Sequence, residues 1–156
     1  MGFWERLIGA EPGAQKDHQR LLPELLAFYR EEARLARQIR EHADLAPHEA
    51  GAQGLRAAAK EQDRAVQLLH GEIISFGGEI NGSLGLTKGG KNHWTRVIHD
   101  LEDNQALRQR YNEQASYWDP DFPDVVALYR TLEHEKARLN ASLRDIALRA
   151  DPHALD

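Results

Sequence analysis

Four polar side chains interrupt otherwise apolar stripes, each near the middle of its stripe: Glu32, Gln62, Asn104 and Glu135. Two carboxylates and two amides are hard oxygen donors, the set that suits a single Mg, Mn or Ca ion. The same groups can instead satisfy one another, with Arg108, one turn beyond Asn104, as the counter-charge to Glu32 or Glu135. Left unpaired in an apolar interior, each would cost roughly a few kcal/mol. A second candidate is "GLTKGGKN", Gly85 to Asn92, in which Gly85, Gly90 and Lys91 fit the phosphate-loop pattern G-x-x-x-x-G-K and only Asn92 replaces the magnesium-binding Ser or Thr. Among the eight histidines only His99 has acids at helical spacing, Glu102 and Asp103. That face points away from the apolar stripe and reads as a solvated, charged surface. No Ser-His-Asp constellation is visible, and the absence of cysteine excludes thiol catalysis, disulfides and thiolate ligands.

The elements that must position these groups are helices. Leu21, Leu22, Leu25, Phe28, Leu35 and Ile39 recur at three-and-four spacing, predicting a first helix from about Arg20 to Ala43 with Pro23 in its first turn. Leu55, Ala59, Val66, Leu69, Ile73 and Phe76 form a second stripe that stops at Gly77-Gly78. Trp94, Val97, Ile98, Leu101, Tyr111, Ala115 and Trp118 form a third, ended by "DPDFPD". In the fourth, Val125, Leu132, Leu139 and Ile146 fall seven apart, with Leu128, Tyr129, Leu143 and Ala150 beside them, before Asp151-Pro152. No stretch alternates as a strand would. Four helices with one apolar stripe each predict an all-α, antiparallel four-helix bundle, in which mid-helix is mid-bundle whichever way a helix points.

The phosphate-loop reading fails on this frame, because such a loop follows a strand and this one follows a helix. Gly77 to Gly90, about 14 residues, can extend ~46 Å, enough to run the ~40 Å length of a 27-residue helix. A hairpin would need only about 2 to 8 residues. The segment therefore reads as a long crossover joining the second and third helices as parallel neighbours, with Asn92 as the cap of the third. Lys88 and Lys91 near that cap could hold an anion.

In "EIISFGGEINGSLGLTKGGKNHWTRV" the second helix ends in a Gly pair, and the third opens with an aromatic after a short Gly/Ser-rich crossover. With the four stripes, from about Arg20 to Ala150, this resembles the ferritin-like superfamily, specifically its bacterial members of undescribed activity. The resemblance implies a metal centre at mid-bundle, built from one Glu on each of two helices and a Glu-x-x-His on each of the other two. Glu32 matches the first-helix glutamate and Glu135 the leading glutamate of the fourth. The remainder departs from the pattern: position 138 is Arg138, the second helix offers Gln62 and Ala65, the third Asn104, and no Glu-x-x-His occurs anywhere. Two functions follow as expectations. The first is a stress-related or interaction protein without a standard di-iron centre and with no cofactor. The alternative is an iron- or manganese-binding oxidoreductase or storage protein with its metal held by Glu32, Gln62, Asn104 and Glu135. An all-helical nucleotide pyrophosphohydrolase would need E-x-x-E and E-x-x-D sets, and Glu31-Glu32 has no such partner on the second helix.

The 156 residues, 41% of them apolar, suit one compact domain, expected over 17–150 between an N-terminal amphipathic segment, 1–16, and a tail, 151–156. A formal net charge of −5 disfavours nucleic acid and anionic membrane surfaces as partners. No apolar run approaches the ~20 residues of a membrane span, and Glu5 and Arg6 interrupt any signal-peptide core, so a cytoplasmic location is expected. Phe3, Trp4, Leu7 and Ile8 share one helical face that folds back on the domain, packs on a second copy, or hooks a partner or a membrane surface; a homodimer is expected.

Overall fold

A computed structural model describes residues 12–150, with side chains from residue 17 onward. Phe3, Trp4, Leu7, Ile8 and the 151–156 tail lie outside the described residues. Four helices make up the described chain: α1, Pro12–Leu45; α2, Glu49–Ser75; α3, His93–Trp118; and α4, Pro123–Ala150. α1 starts earlier than its apolar stripe, so Pro23 lies well inside it and not in its first turn. Gln19, whose carbonyl loses its helical partner to Pro23, is exposed, so solvent can serve that carbonyl.

The ends follow from local chemistry. α2 closes with the 6→1 and 5→2 bonds of a Schellman motif, Gly78 N to Ile73 O and Gly77 N to Ile74 O, both 2.9 Å. Gly77 supplies the positive φ of 75° that this turn requires. Asn92 caps α3, its side chain accepting from Thr95 N at 2.7 Å, as the sequence predicts.

α1 packs most closely on α2 and α3 on α4, while α2–α4 and α1–α3 form the other two sides of the bundle. Every adjacent pair is antiparallel: Glu32 meets Gln62, His42 meets Asp100, Asn104 meets Asn140 and Gly54 lies against Ile146. α2 and α3 are therefore parallel, but they face each other across the diagonal instead of side by side. The crossover, residues 76–92, lies along α1, where Arg30 donates to the Asn81 carbonyl and Arg37 to that of Gly85. The core runs the full length, through Leu21, Leu25, Phe28, Leu35 and Ile39 of α1, Leu55, Leu69 and Ile73 of α2, Val97, Leu107 and Tyr111 of α3, and Leu132, Leu139 and Leu143 of α4. Of the residues expected in the α3 stripe, Ile98 and Leu101 are only partly covered and Trp94 is exposed. Asp100 and Asn104 take those inward positions, and the reason lies in what they bind.

Candidate functional site

At mid-bundle Glu32, Gln62 and Asn104 are buried as the pattern requires. Glu135 is not part of this group. It turns outward to Arg64, Oε1 to Nε 3.2 Å, and its neighbour Lys136 points into the core. The Lys136 ammonium lies 2.7 Å from Glu32 Oε2 and also donates to Gln62 Oε1. Gln62 completes the triangle by donating to Glu32 Oε2 at 3.0 Å. Asn104 lies beside it, its amide donating to the Lys136 carbonyl at 2.9 Å and to Asn140 Oδ1 at 2.5 Å. The counter-charge expected of Arg108 is thus supplied by Lys136. Arg108 is half exposed and pairs with Glu133 at 3.7 Å, because Leu107 and Tyr111 hold the inward face of α3 at that level.

Burial raises the Glu32 pKa and lowers that of Lys136, each only partly offset by the other's charge. Glu32 Oε1 and the buried Tyr111 hydroxyl form no hydrogen bond of good geometry, yet they stand close enough for the hydroxyl to favour the charged carboxylate. Burial likewise drives the Tyr111 pKa up. Asn104 Oδ1 is also buried without a partner.

A second polar layer joins α1, α3 and the crossover nearer the α3 N-terminus. Gln38 is its hub: it donates to Asp100 Oδ1 at 2.8 Å and to Asp103 Oδ2 at 3.2 Å, and accepts from Arg34 at 2.8 Å and from Lys88 N at 2.7 Å. His42 bridges Asp100 Oδ2 and the Lys88 carbonyl, 2.8 Å to each. Lys88 Nζ reaches Asp103 Oδ1 at 2.5 Å, so this half-exposed ammonium, which with Lys91 could hold an anion, is paired with a carboxylate of α3. Asp103, expected on a solvated face, is buried, and its pKa falls: burial pushes it up, but Lys88, Gln38 and Arg34 together outweigh that. His99 leaves the acids and bonds the Gly89 carbonyl at 2.6 Å. Near the other end Glu24 accepts from Trp118 Nε1 at 2.9 Å and from the Tyr129 hydroxyl at 2.6 Å, tying α1 to α3 and α4.

Gln38, Asp100 and Lys136 escape a reading that looks for apolar stripes. Spacing was the available signal, since 136 lies four past Leu132 and three before Leu139, the inward step of a heptad that position 135 misses. Among the described residues no three His, Cys, Asp or Glu side chains gather as metal ligands would, and no helix is long and apolar enough to cross a membrane.

No protein-family model matches the chain, and no curated protein matches it in sequence. Among solved structures it is similar to the bacterioferritin-related protein from Bacteroides fragilis, a dodecameric thioferritin, with a TM-score of 0.75 over 85% of this chain and 86% of that one at 16% identity. Helix order, the lengthwise crossover and this likeness agree: the chain has the ferritin-like four-helix bundle fold.

Proposed function

We propose that this protein is a ferritin-like homo-oligomer of the cytoplasm, a dimer at least, that acts through its surfaces in stress protection or in binding another protein, without a standard di-iron centre. The observation that carries this reading is the donor set at mid-bundle. A di-iron site needs several carboxylates and histidines converging on the metals. The groups at that level are one carboxylate, three amides and an ammonium ion, and the second acid, Glu135, is turned to Arg64. This set does not fit a di-iron centre, and no redox step is derived from one.

Self-association is supported by the dodecameric state of the structurally similar Bacteroides protein. It is also supported by exposed Leu45, Trp94 and Leu148, which all lie at the end of the bundle where α1 and α4 finish and α3 begins. With a net charge of −5, a protein partner fits better than nucleic acid. A second reading, an iron- or manganese-binding oxidoreductase or storage protein, draws on the buried oxygens Glu32 Oε1, beside the Tyr111 hydroxyl, and Asn104 Oδ1, neither of which has a hydrogen bond of good geometry. Metal analysis of protein purified without chelator or affinity tag, together with light scattering, separates the two. Metal-free oligomers agree with the first reading; a stoichiometric transition metal bound through Glu32 overturns it. A monomer at tens of micromolar, with and without residues 1–16, removes the oligomer.

A further inference from the structure

The ammonium of Lys136 is fully buried and is spent on two oxygens, Glu32 Oε2 and Gln62 Oε1. Further oxygen atoms of the same layer are not served by it. Glu32 Oε1, with the Tyr111 hydroxyl close by, and Asn104 Oδ1 are buried without a hydrogen bond of good geometry, although buried polar atoms in folded proteins are almost always paired. An oxygen-rich layer gathered about one positive charge is the arrangement that hard cations require. We propose that Lys136 is a built-in counter-ion, standing at Glu32 where carboxylate bundles place a divalent ion, and that it keeps closed a latent cation site made by Glu32, Gln62 and Asn104.

The inference rests on the reading that the native protein carries no resident metal at this level. Three features support it. The charge arithmetic closes, because one buried carboxylate faces one buried cation and Gln62 and Asn104 are neutral. Lys136 touches both Glu32 of α1 and Gln62 of α2 while its own carbonyl accepts from Asn104 of α3, so one residue of α4 ties all four helices, the role of a central ion in a bundle. A route from solvent also exists. A cleft of about 260 Å³ between α2 and α4 is lined by Gln62 and Lys136 and by the charged Glu61 and Glu135. Arg64, paired with Glu135, and Arg138 line it as well, and Lys136 links the cleft to the Glu32 carboxylate.

The test uses Mn²⁺ as the probe, read by loss of the free-ion EPR signal and by thermal melts with EDTA or with MnCl₂. The wild type should leave the Mn²⁺ signal unchanged and melt at one temperature in both. Lys136→Ala should melt several degrees lower in EDTA, take up Mn²⁺, and regain most of the loss when it does. Adding Glu32→Gln to that variant should abolish Mn²⁺ uptake and recover stability in EDTA, since no buried charge is then stranded. Should Lys136→Ala fail to fold in EDTA, helical signal restored by MnCl₂ supports the inference and its absence counts against it. Lys136→Met, which keeps the length of the side chain, provides the second readout: it must be destabilised, and Glu32→Gln must relieve it. Lys136 variants as stable as the wild type, or a Lys136→Ala protein indifferent to Mn²⁺, would overturn the inference while leaving a metal-free native protein intact. Stoichiometric Mn²⁺ on the wild type would overturn both.

Discussion

His42 and Asp100 form a buried pair whose outer edge carries the crossover: Nδ1 lies 2.8 Å from Asp100 Oδ2, and Nε2 lies 2.8 Å from the Lys88 carbonyl. A carboxylate and a carbonyl both accept, so an imidazole with one proton serves only one of them. Both bonds are made when His42 is an imidazolium. Burial alone would lower its pKa, but the bond and charge of Asp100, with the Lys88 carbonyl, outweigh that and raise it above 6.5.

The pH dependence follows from that direction. A raised folded pKa means the pair's contribution is complete below about 6.5, the unfolded value, and is lost as pH rises through the folded pKa. The melting temperature should therefore fall as pH rises above about 6.5, and His42→Gln should flatten that slope. Circular-dichroism melts of both proteins across that range check it; parallel slopes would show that His42 is not the titrating group.

Gln38 is bonded to Arg34, Asp100, Asp103 and Lys88, so Gln38→Leu keeps the volume and strands several polar groups at once. The expected cost is about 3 kcal/mol, measured by urea unfolding. The crossover should become protease-sensitive in the same variant, with first cuts between residues 81 and 90.

Arg108→Ala should cost less than ~1 kcal/mol, since its partner Glu133 is at the surface and the pair is screened by water. Lys136→Met, by contrast, strands the Glu32 carboxylate and should cost ~3 to 5 kcal/mol. Equal losses in the two variants would contradict the geometry of the layer.

Asn92→Ala removes the cap on Thr95 N and should destabilise by ~1 kcal/mol. Lys91→Ala should leave stability unchanged and alter no nucleotide affinity, because the loop follows helix α2 and its other lysine is held by Asp103. Calorimetry with ATP and GTP tests this; micromolar binding abolished by Lys91→Ala would refute it.

The bundle, its crossover and the Asn92 cap were legible because each depends on local rules: three-and-four spacing, a Gly pair after an apolar stripe, and a polar residue before the next. Glu32, Gln62 and Asn104 were legible as interruptions at a shared height. Glu135 was misread because a glutamate looks like a ligand and a lysine looks like surface, although heptad spacing favoured Lys136. Asp100, Asp103 and Gln38 were hidden for a different reason. Their burial comes from the crossover lying over α1, a tertiary relation between residues some 50 positions apart, as Lys88 is from Gln38.

The lengthwise crossover also sets how the chain comes together. The closest packing joins consecutive helices, α1 with α2 and α3 with α4, so most of the native interactions form within two hairpins of low contact order. Joining the hairpins needs the strap to be drawn along α1 and fixed by groups such as Arg37, which donates to the Gly85 carbonyl, and His42, whose Nε2 meets the Lys88 carbonyl. The molecule therefore has a seam. In native-state hydrogen exchange the amides of the strap should open first, as a sub-global unit distinct from the hairpins, and the two hairpins should be the last regions to exchange.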